Sequence, residues 1–257
     1  MNVKFKAHLF IFSLFFCYNL SAQEIVKGDF KNENPQSSYV PSFDMDATDK
    51  PVKNVILMIG DGMGLAHICS GMYANQGQLT ITNLKTYGFV RTQSANKFTT
   101  DSAASGTAYS TGKKTKNGAL GMDENNQVIP NLPEKLSGYG YISGIVTTDN
   151  LDGATPAAFF AHQPERGMSK EIWADLPNGS YELFEKQAPN VQKEIKKEFT
   201  IIEEPNDKAI KKSKKLGYLP TKSKTASVNE NRGDFLPSTT QMAIDYLSSR
   251  STNGFFL

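Results

Sequence analysis

The sequence NVILMIGDGMG at residues 54–64 decides the fold class of this chain. An apolar run over 54–59 leads into Asp61, which lies between two glycines. Such an uninterrupted run is typical of a strand buried on both faces in the centre of a parallel sheet. A helical pattern follows over residues 65–73. We therefore predict a buried central strand, a turn that presents the Asp61 carboxylate, and a helix.

A second stretch, TTDSAASGTA at residues 99–108, predicts a helix that begins with a hydroxyl side chain. Asp101 has the position of the helix cap and Ser102 lies in the first turn, so we expect a helix over 102–111 that stops at Gly112. The free N–H groups and the positive end of the helix dipole favour an anion there. A strand-end carboxylate together with a helix-start serine suggests metal-assisted phosphoryl chemistry.

The first 22 residues have the pattern of a signal peptide and are excluded from the fold. Two lysines precede an apolar run from Leu9 to Leu20, and a small-residue cleavage site precedes Gln23. The run is too short for an ordinary transmembrane helix, and no other long apolar stretch follows. The sequence therefore predicts export to the periplasm or the extracellular space, without membrane insertion.

Charge and cysteine content argue against a nucleic-acid partner and against an internal disulfide. The two lysines of the signal peptide account for the formal net charge of +2, so nothing indicates a nucleic acid as partner. Without the signal peptide and its Cys17, Cys69 is the single cysteine, which leaves no internal disulfide. With 39% hydrophobic residues, the chain can stabilise a core of its own.

Changes in composition divide the remaining chain. Residues 23–50 are polar and predict an extended N-terminal arm, and 51–257 form the domain, with a variable, lysine-rich insertion over 167–236. Lys208 to Lys224 contains seven lysines and no acid, which favours a solvated surface; an anion-attracting flap is the alternative.

Strands that alternate with helices predict an α/β fold. Further strands are predicted at 141–146, weakly around 87–90, and from 254 onward, and further helices at 133–136 and at 239–250 with Ser238 as its cap.

Four side chains carry the suggested chemistry, and each has a structural alternative. Asp61 can ligate Mg²⁺ or Zn²⁺, or it can cap the following helix. Ser102 is a poor nucleophile without a base or a metal, and no Ser–His–Asp arrangement is readable, which favours metal activation. Thr155, in the sequence ATPAA, can ligate a hard cation or cap a turn. Arg166 can bind two phosphate oxygens, or it can be an ordinary surface arginine.

An ordered series of motifs resembles that of the alkaline phosphatases. The resemblance is close over residues 52–166 and looser over 237–257. It implies an α/β fold, a three-layer α/β/α sandwich with a mostly parallel central sheet, which this chain would leave incomplete at its C-terminus. The matching stretches are 54–64 for the first metal-binding strand, 100–105 for the nucleophile motif, 110–112, 116–121, 154–158 for the magnesium-side loop, and Arg166 for the phosphate-binding arginine.

The resemblance also implies a mechanism and its cofactors. Ser102 would attack phosphorus as a zinc-bound alkoxide, and the resulting phosphoserine would be hydrolysed to release inorganic phosphate from small phosphate monoesters. Arg166, oriented by Asp101, would bind the phosphate oxygens. Asp61 would bridge a zinc and the magnesium ion, and Thr155 would ligate magnesium. The family site implies two Zn²⁺ and one Mg²⁺, and a homodimer is a further expectation.

Two features depart from the family pattern. The family usually carries Asp or His two residues before the threonine matched by Thr155, where this chain has Gly153. The adjacent Asp152 is our hypothesis for the replacement ligand. The glutamate, aspartates and histidines that complete the family's metal sites would come after Leu257, and His67 and His162 do not match ligand positions. We therefore expect this chain alone to be inactive.

Two other functions compete with this interpretation. The first is an exported phosphate-binding fragment that lacks the zinc ligands and is not catalytic. The second is a sulfatase or phosphodiesterase of the same fold superfamily. The usual sulfatase pattern has a proline two residues after the nucleophile, and Ser102 is followed by two alanines, which disfavours the second alternative.

Overall fold

A computed structural model of the chain describes residues 33–44, 49, 51–178, 183–185, 195–220 and 233–257. The chain divides into two compact units. Within the described ranges, the first unit contains residues 33–44 and 63–87, and the second contains the remainder. The predicted signal peptide lies outside the described residues. Across those residues, no helix combines the length and the apolar character that crossing a membrane requires.

The first unit is built around helix α1 (Leu65–Ala74), which confirms the helix predicted there. A short 3-10 helix follows at Thr80–Asn83. Residues 33–44, the described part of the predicted arm, contain no helix or strand. They are hydrogen-bonded within this unit: the backbone N–H of Tyr39, for example, donates to Thr80 Oγ1 at 3.0 Å.

The second unit contains a parallel five-stranded sheet. In chain order the strands are β1 (Ile142–Val146), β2 (Leu183–Glu185), β3 (Thr200–Ile202), β4 (Leu216–Tyr218) and β5 (Phe255–Phe256). Their spatial order is β3-β4-β2-β1-β5, and every neighbouring pair is parallel. The register places Gly144 opposite Leu183 and Ile142 opposite Phe255. Parallel neighbours require crossover connections, which the helices between the strands supply.

Helices cover both faces of this sheet. The described helices of this unit are α2 (Ser102–Thr111), α3 (Leu132–Ser137), α4 (Ala154–Ala157), α5 (Ser169–Asp175), α6 (Ile195–Glu198), α7 (Asp207–Lys212) and α8 (Phe235–Arg250), with a 3-10 helix at Leu176–Asn178.

Two core clusters lie on opposite sides of the sheet. Phe256 stacks on Phe159 at 6.1 Å between ring centroids, in a cluster shared with α2, α4 and α5. Phe255 packs with Tyr246 of α8 in the second cluster. Because successive strand residues point to opposite faces, the two clusters are on opposite sides, which confirms the three-layer α/β/α prediction.

Several predicted elements are confirmed within one or two residues. Strand β1 lies between β2 and β5, with Ser143 and Gly144 buried, as expected for a central strand. Helix α2 spans the predicted residues and ends before Gly112, whose φ of 79° is the left-handed conformation that glycine adopts readily. Helix α3 and strand β5 lie where the sequence predicts a helix and a strand.

The prediction of a buried central strand at residues 54–59 is wrong. The segment pairs with β5 and the residue that follows it: the Val55 N–H donates to Phe255 O at 2.9 Å and the Leu57 N–H to Leu257 O at 2.8 Å. Met58 is nevertheless 84% exposed. In the described part of the chain, no strand pairs with its other side. The apolar run therefore lies at an edge of the sheet, with its side chains largely open to solvent.

Two further local predictions are wrong. Residues 87–90 form no strand, and Phe89 is 93% exposed, because within the described chain no segment pairs with their backbone as a strand. Ser238 is not the cap of the last helix, since α8 already begins at Phe235. Its hydroxyl instead donates to the Asp234 carbonyl oxygen at 2.8 Å. Pro237 is compatible with this earlier start, because N–H groups in the first helical turn have no intrahelical partner.

The lysine-rich segment is described in part. Helix α7 carries Lys208, Lys211 and Lys212, and all three are exposed. Their exposure is what a solvated surface requires. Residues 190–194 and 221–225 of the segment lie outside the described residues.

Candidate functional site

Helix α2 fixes the position of Ser102. Asp101 caps the helix: its Oδ1 accepts a hydrogen bond from the Ala104 N–H at 2.9 Å. The helix packs closely against the end of α4, because an ideal Cβ atom at Gly106 would lie only 2.9 Å from the Cβ of Ala158. The cap and the small residues together hold Ser102 at the start of the helix, next to α4.

The Asp61 carboxylate accepts hydrogen bonds from two hydroxyl groups. Ser102 Oγ donates to Asp61 Oδ1 at 3.2 Å, and Thr155 Oγ1 donates to Asp61 Oδ2 at 2.6 Å. Three elements meet here: the turn after segment 54–59, the start of α2 and the first turn of α4. Asp61 is exposed, whereas Ser102 and Thr155 are partly buried, so a ligand can approach the carboxylate from solvent.

The second oxygen of Asp101 connects α2 to Arg166. Asp101 Oδ2 accepts a hydrogen bond from the Gly118 N–H at 3.0 Å, and Arg166 Nη1 lies 3.5 Å from the same oxygen. The Arg166 side chain is 45% exposed, so its guanidinium can contact an anion as well as Asp101. One carboxylate therefore caps the serine-bearing helix and contacts the arginine.

Backbone pairing holds the segment that carries this arginine. The Leu120 N–H donates to Gln163 O at 2.8 Å, and the Gln163 N–H donates to Leu120 O at 3.0 Å. The neighbouring His162 lies with Nδ1 2.8 Å from Gly121 O and Nε2 2.8 Å from Glu134 Oε1. This role of His162 is not predictable from the sequence, because no motif indicates a contact across 28 residues of chain.

The loop before α4 contains Asp152, our hypothesis for the replacement metal ligand, and that hypothesis stays a prediction. The Asp152 carboxylate accepts a hydrogen bond from the Ser169 hydroxyl of α5. Gly153 is the residue that precedes α4, and the Asp149 side chain lies over it: an ideal Cβ at Gly153 would be 2.8 Å from Asp149 Cγ. No sequence motif singles out Asp149.

The Alkaline phosphatase family model matches residues 52–201, more than half of the chain. The chain belongs to the alkaline phosphatase family. Alkaline phosphatase 4 of Bacillus subtilis is 31% identical over 234 residues, which cover 80% of this chain and 50% of that protein. The alkaline phosphatase of Escherichia coli is 41% identical over 129 residues, which cover 46% of this chain and 27% of that protein. The chain therefore spans half or less of these curated relatives.

Solved structures of alkaline phosphatases show the same α/β fold. The enzyme from the Antarctic bacterium TAB5 aligns with a TM-score of 0.75 and 32% identity, covering 80% of this chain and 64% of that one. A variant of the TAB5 enzyme with Mg bound in its M3 site aligns with a TM-score of 0.73. The Thermus thermophilus enzyme, at 20% identity and a TM-score of 0.64, supports the fold alone.

In the described residues, the donor atoms at this site are of the type that magnesium prefers, and they do not supply the ligands of a zinc pair. Asp61, Ser102 and Thr155 offer oxygen donors, which Mg²⁺ prefers. Catalytic zinc typically takes about three protein ligands, rich in His or Cys. The residues that the structure describes contain no group of three His, Cys, Asp or Glu side chains that could hold a metal. His67 and His162 contact Gly64 and Glu134 instead.

Proposed function

We propose that this alkaline phosphatase chain supplies the nucleophile and the phosphate-binding residues of a metal-dependent phosphate monoesterase. Small phosphate monoesters would be its substrates and inorganic phosphate its product. The contact between the Ser102 hydroxyl and Asp61 Oδ1 carries the proposal, because it joins a helix-start anion site to a carboxylate acceptor.

The reaction divides into two displacements at phosphorus. Ser102 Oγ forms a bond to phosphorus while the bond from phosphorus to the ester oxygen breaks. The proton that Ser102 would lose to its neighbour Asp61 is returned to the leaving oxygen, which becomes the alcohol product. Water then displaces the serine oxygen, which regenerates the hydroxyl and releases phosphate. Arg166, held beside Asp101, would bind the phosphate oxygens during both steps.

Asp61 and Thr155 would hold Mg²⁺ in this site. A bound Mg²⁺ would supply positive charge against the phosphate and its transition state. The zinc ions remain an implication of the resemblance, since the described residues do not fit them. Export to the periplasm or the extracellular space, and a homodimer, stay predictions from the sequence.

Phosphoryl transfer to Ser102 tests the proposal without requiring turnover. The chain is incubated with p-nitrophenyl phosphate, Mg²⁺ and Zn²⁺, quenched in acid and analysed by intact and peptide mass. Turnover by this chain alone is not expected, but a single displacement should leave one phosphoryl group on Ser102, no addition in Ser102→Ala, and unchanged addition in Ser105→Ala, a matched serine in the next turn of α2. Absence of label on Ser102, or equal labelling of Ser102→Ala, would refute the proposal.

A second candidate function is phosphate binding without catalysis. The lack of a zinc-ligand cluster in the described residues favours it. It predicts no phosphoserine, but binding of inorganic phosphate in a calorimetric titration that Arg166→Ala weakens at least tenfold. Phosphoserine formation at Ser102 would exclude this candidate.

A further inference from the structure

Both ring nitrogens of His162 face oxygen atoms that accept hydrogen bonds. Nδ1 lies 2.8 Å from the Gly121 carbonyl oxygen, and Nε2 lies 2.8 Å from Glu134 Oε1. A carbonyl oxygen and an ionised carboxylate only accept, whereas a neutral imidazole has one N–H and can satisfy only one of the two. The geometry therefore favours a ring that is protonated at both nitrogens, which makes the contact with Glu134 an ion pair.

The ring is held from several sides. The side chains of His162 and Glu134 are only 17% and 32% exposed. Glu134 Oε2 accepts from the Asn131 N–H at 2.8 Å, which fixes this carboxylate at the start of α3. An ideal Cβ at Gly121 would lie 2.5 Å from His162 Nδ1, so glycine at this position lets the ring approach the carbonyl oxygen. A second carboxylate contacts the same residue, because Asp175 Oδ2 accepts from the His162 N–H at 3.0 Å.

The imidazolium connects α3 to the two chain segments that hold the candidate phosphate-binding pair. These segments, 118–121 and 161–166, are joined by the two backbone hydrogen bonds described above. The first segment donates its Gly118 N–H to Asp101 Oδ2. The second carries Arg166, whose Nη1 lies 3.5 Å from the same oxygen. A shift of either segment would therefore change the distance between the arginine and the carboxylate.

We propose that His162, as an imidazolium, is a positioning residue for Arg166 in phosphate binding. It fixes the segment that carries the arginine to the Gly121 carbonyl oxygen and, through Glu134, to the start of α3. The guanidinium then meets a phosphate from a fixed backbone, so less freedom is lost on binding. The inference rests on the phosphate-binding role proposed above for Arg166.

Nitrogen NMR tests the protonation of the ring without any ligand. The chain is labelled with ¹⁵N-histidine and measured at neutral pH, and the signals of His162 are assigned by their loss in His162→Phe. We expect both ring nitrogens of His162 to carry a proton. His67 is the internal reference, because its Nδ1 accepts from the Gly64 N–H at 3.2 Å and must be unprotonated. An unprotonated ring nitrogen in His162 would overturn the imidazolium assignment.

Calorimetric titration with inorganic phosphate tests the positioning role. We expect His162→Phe to weaken phosphate binding at least threefold, and the matched control His67→Phe to change it less than twofold. Thermal melts check that each variant folds. If His162→Phe does not fold, His162→Gln, which keeps a donor for one of the two oxygens, takes its place.

A double-mutant cycle shows whether His162 acts through the arginine. Arg166→Lys keeps a positive charge for phosphate but lacks the planar guanidinium, and its flexible stem depends less on the position of the backbone. In the Arg166→Lys background, His162→Phe should therefore change the phosphate affinity less than twofold. A histidine that only stabilises the fold would weaken binding equally in both backgrounds.

Three outcomes of the titrations would overturn the inference. Equal phosphate affinity of His162→Phe and the unchanged chain would exclude the positioning role and leave the proposed function standing. An equal loss in the Arg166→Lys background would show that His162 does not act through Arg166. No binding by the unchanged chain at millimolar phosphate would also exclude the role, while phosphoryl labelling of Ser102 would still decide the proposed function.

Discussion

Replacing Gly106 by alanine separates two opposing effects on the stability of α2. The new Cβ would lie 2.9 Å from the Cβ of Ala158 and 3.5 Å from the Thr155 carbonyl oxygen. Optimal carbon–carbon contact requires about 3.5–4.0 Å, so α2 and α4 must separate by about 0.6–1.1 Å. Overpacking of this kind costs about 1–3 kcal/mol. Helix propensity alone favours alanine over glycine by about 0.5–1 kcal/mol.

We therefore expect Gly106→Ala to lower the free energy of unfolding by about 1–2 kcal/mol, measured by urea denaturation. Gly88→Ala is the control, since a Cβ there meets nothing within 4 Å, and we expect a change below about 0.5 kcal/mol. The sign of the Gly106→Ala effect is decisive. A gain in stability would mean that helix propensity outweighs the contact with Ala158 and would refute the argument.

A second substitution tests the contact itself. Ala158→Gly removes the opposing Cβ, so Gly106→Ala in that background should be less destabilising by at least about 0.5 kcal/mol than in the unchanged chain. Additive effects of the two substitutions would show that they do not interact, against the 2.9 Å separation.

Two other contacts give predictions that urea denaturation can check. Asp101→Ala removes the helix cap and should lower the stability of the second unit by about 1 kcal/mol. Asp101→Asn keeps an acceptor for the Ala104 N–H and should lose less stability. Equal losses of stability in the two variants would contradict the capping role. Arg250→Ala removes a donor to the carbonyl oxygens of Ile210 and Ser213, each at 2.8 Å, and should cost about 1–3 kcal/mol. Full recovery of stability by Arg250→Lys would contradict this role of the arginine, since lysine lacks the planar guanidinium with its several N–H donors.

The elements that the sequence predicts well are those that nearby residues specify. Helix α2 begins and ends at residues with clear local roles, Asp101 as cap and Gly112 as left-handed terminator. Strand β1 is a short, mainly apolar run between a glycine-containing turn and a polar loop, and its place between two strands agrees with its composition.

Burial of segment 54–59 could not be predicted from its composition. An apolar run shows that a segment is suited to burial, but which segment covers it depends on pairing elsewhere in the chain. In the described residues the pairing comes from one side only, through 255–257, and Met58 is left exposed. The same dependence on distant partners explains the failure at 87–90.

The sequence indicates which residues belong to the candidate site, but it does not indicate which of them contact one another. Motifs single out Asp61, Ser102 and Thr155, and the structure brings their oxygen atoms within hydrogen-bond distance. Their catalytic and metal-binding roles stay predictions. The position of Asp149 over Gly153 follows from the path of a loop, which residue types alone do not determine.

The pairing of segment 54–59 with residues 255–257 also sets an order of assembly. The Phe255 N–H donates to Asn54 Oδ1 at 3.3 Å across 201 positions, whereas Ser102 and Thr155 belong to neighbouring helices much closer in sequence. At about 5–20 residues per second, ribosomal synthesis separates the two paired segments by about 10–40 s. Long-range pairing of this kind also forms slowly during refolding. The serine and threonine hydroxyls can therefore be in place well before the Asp61 carboxylate is fixed between them.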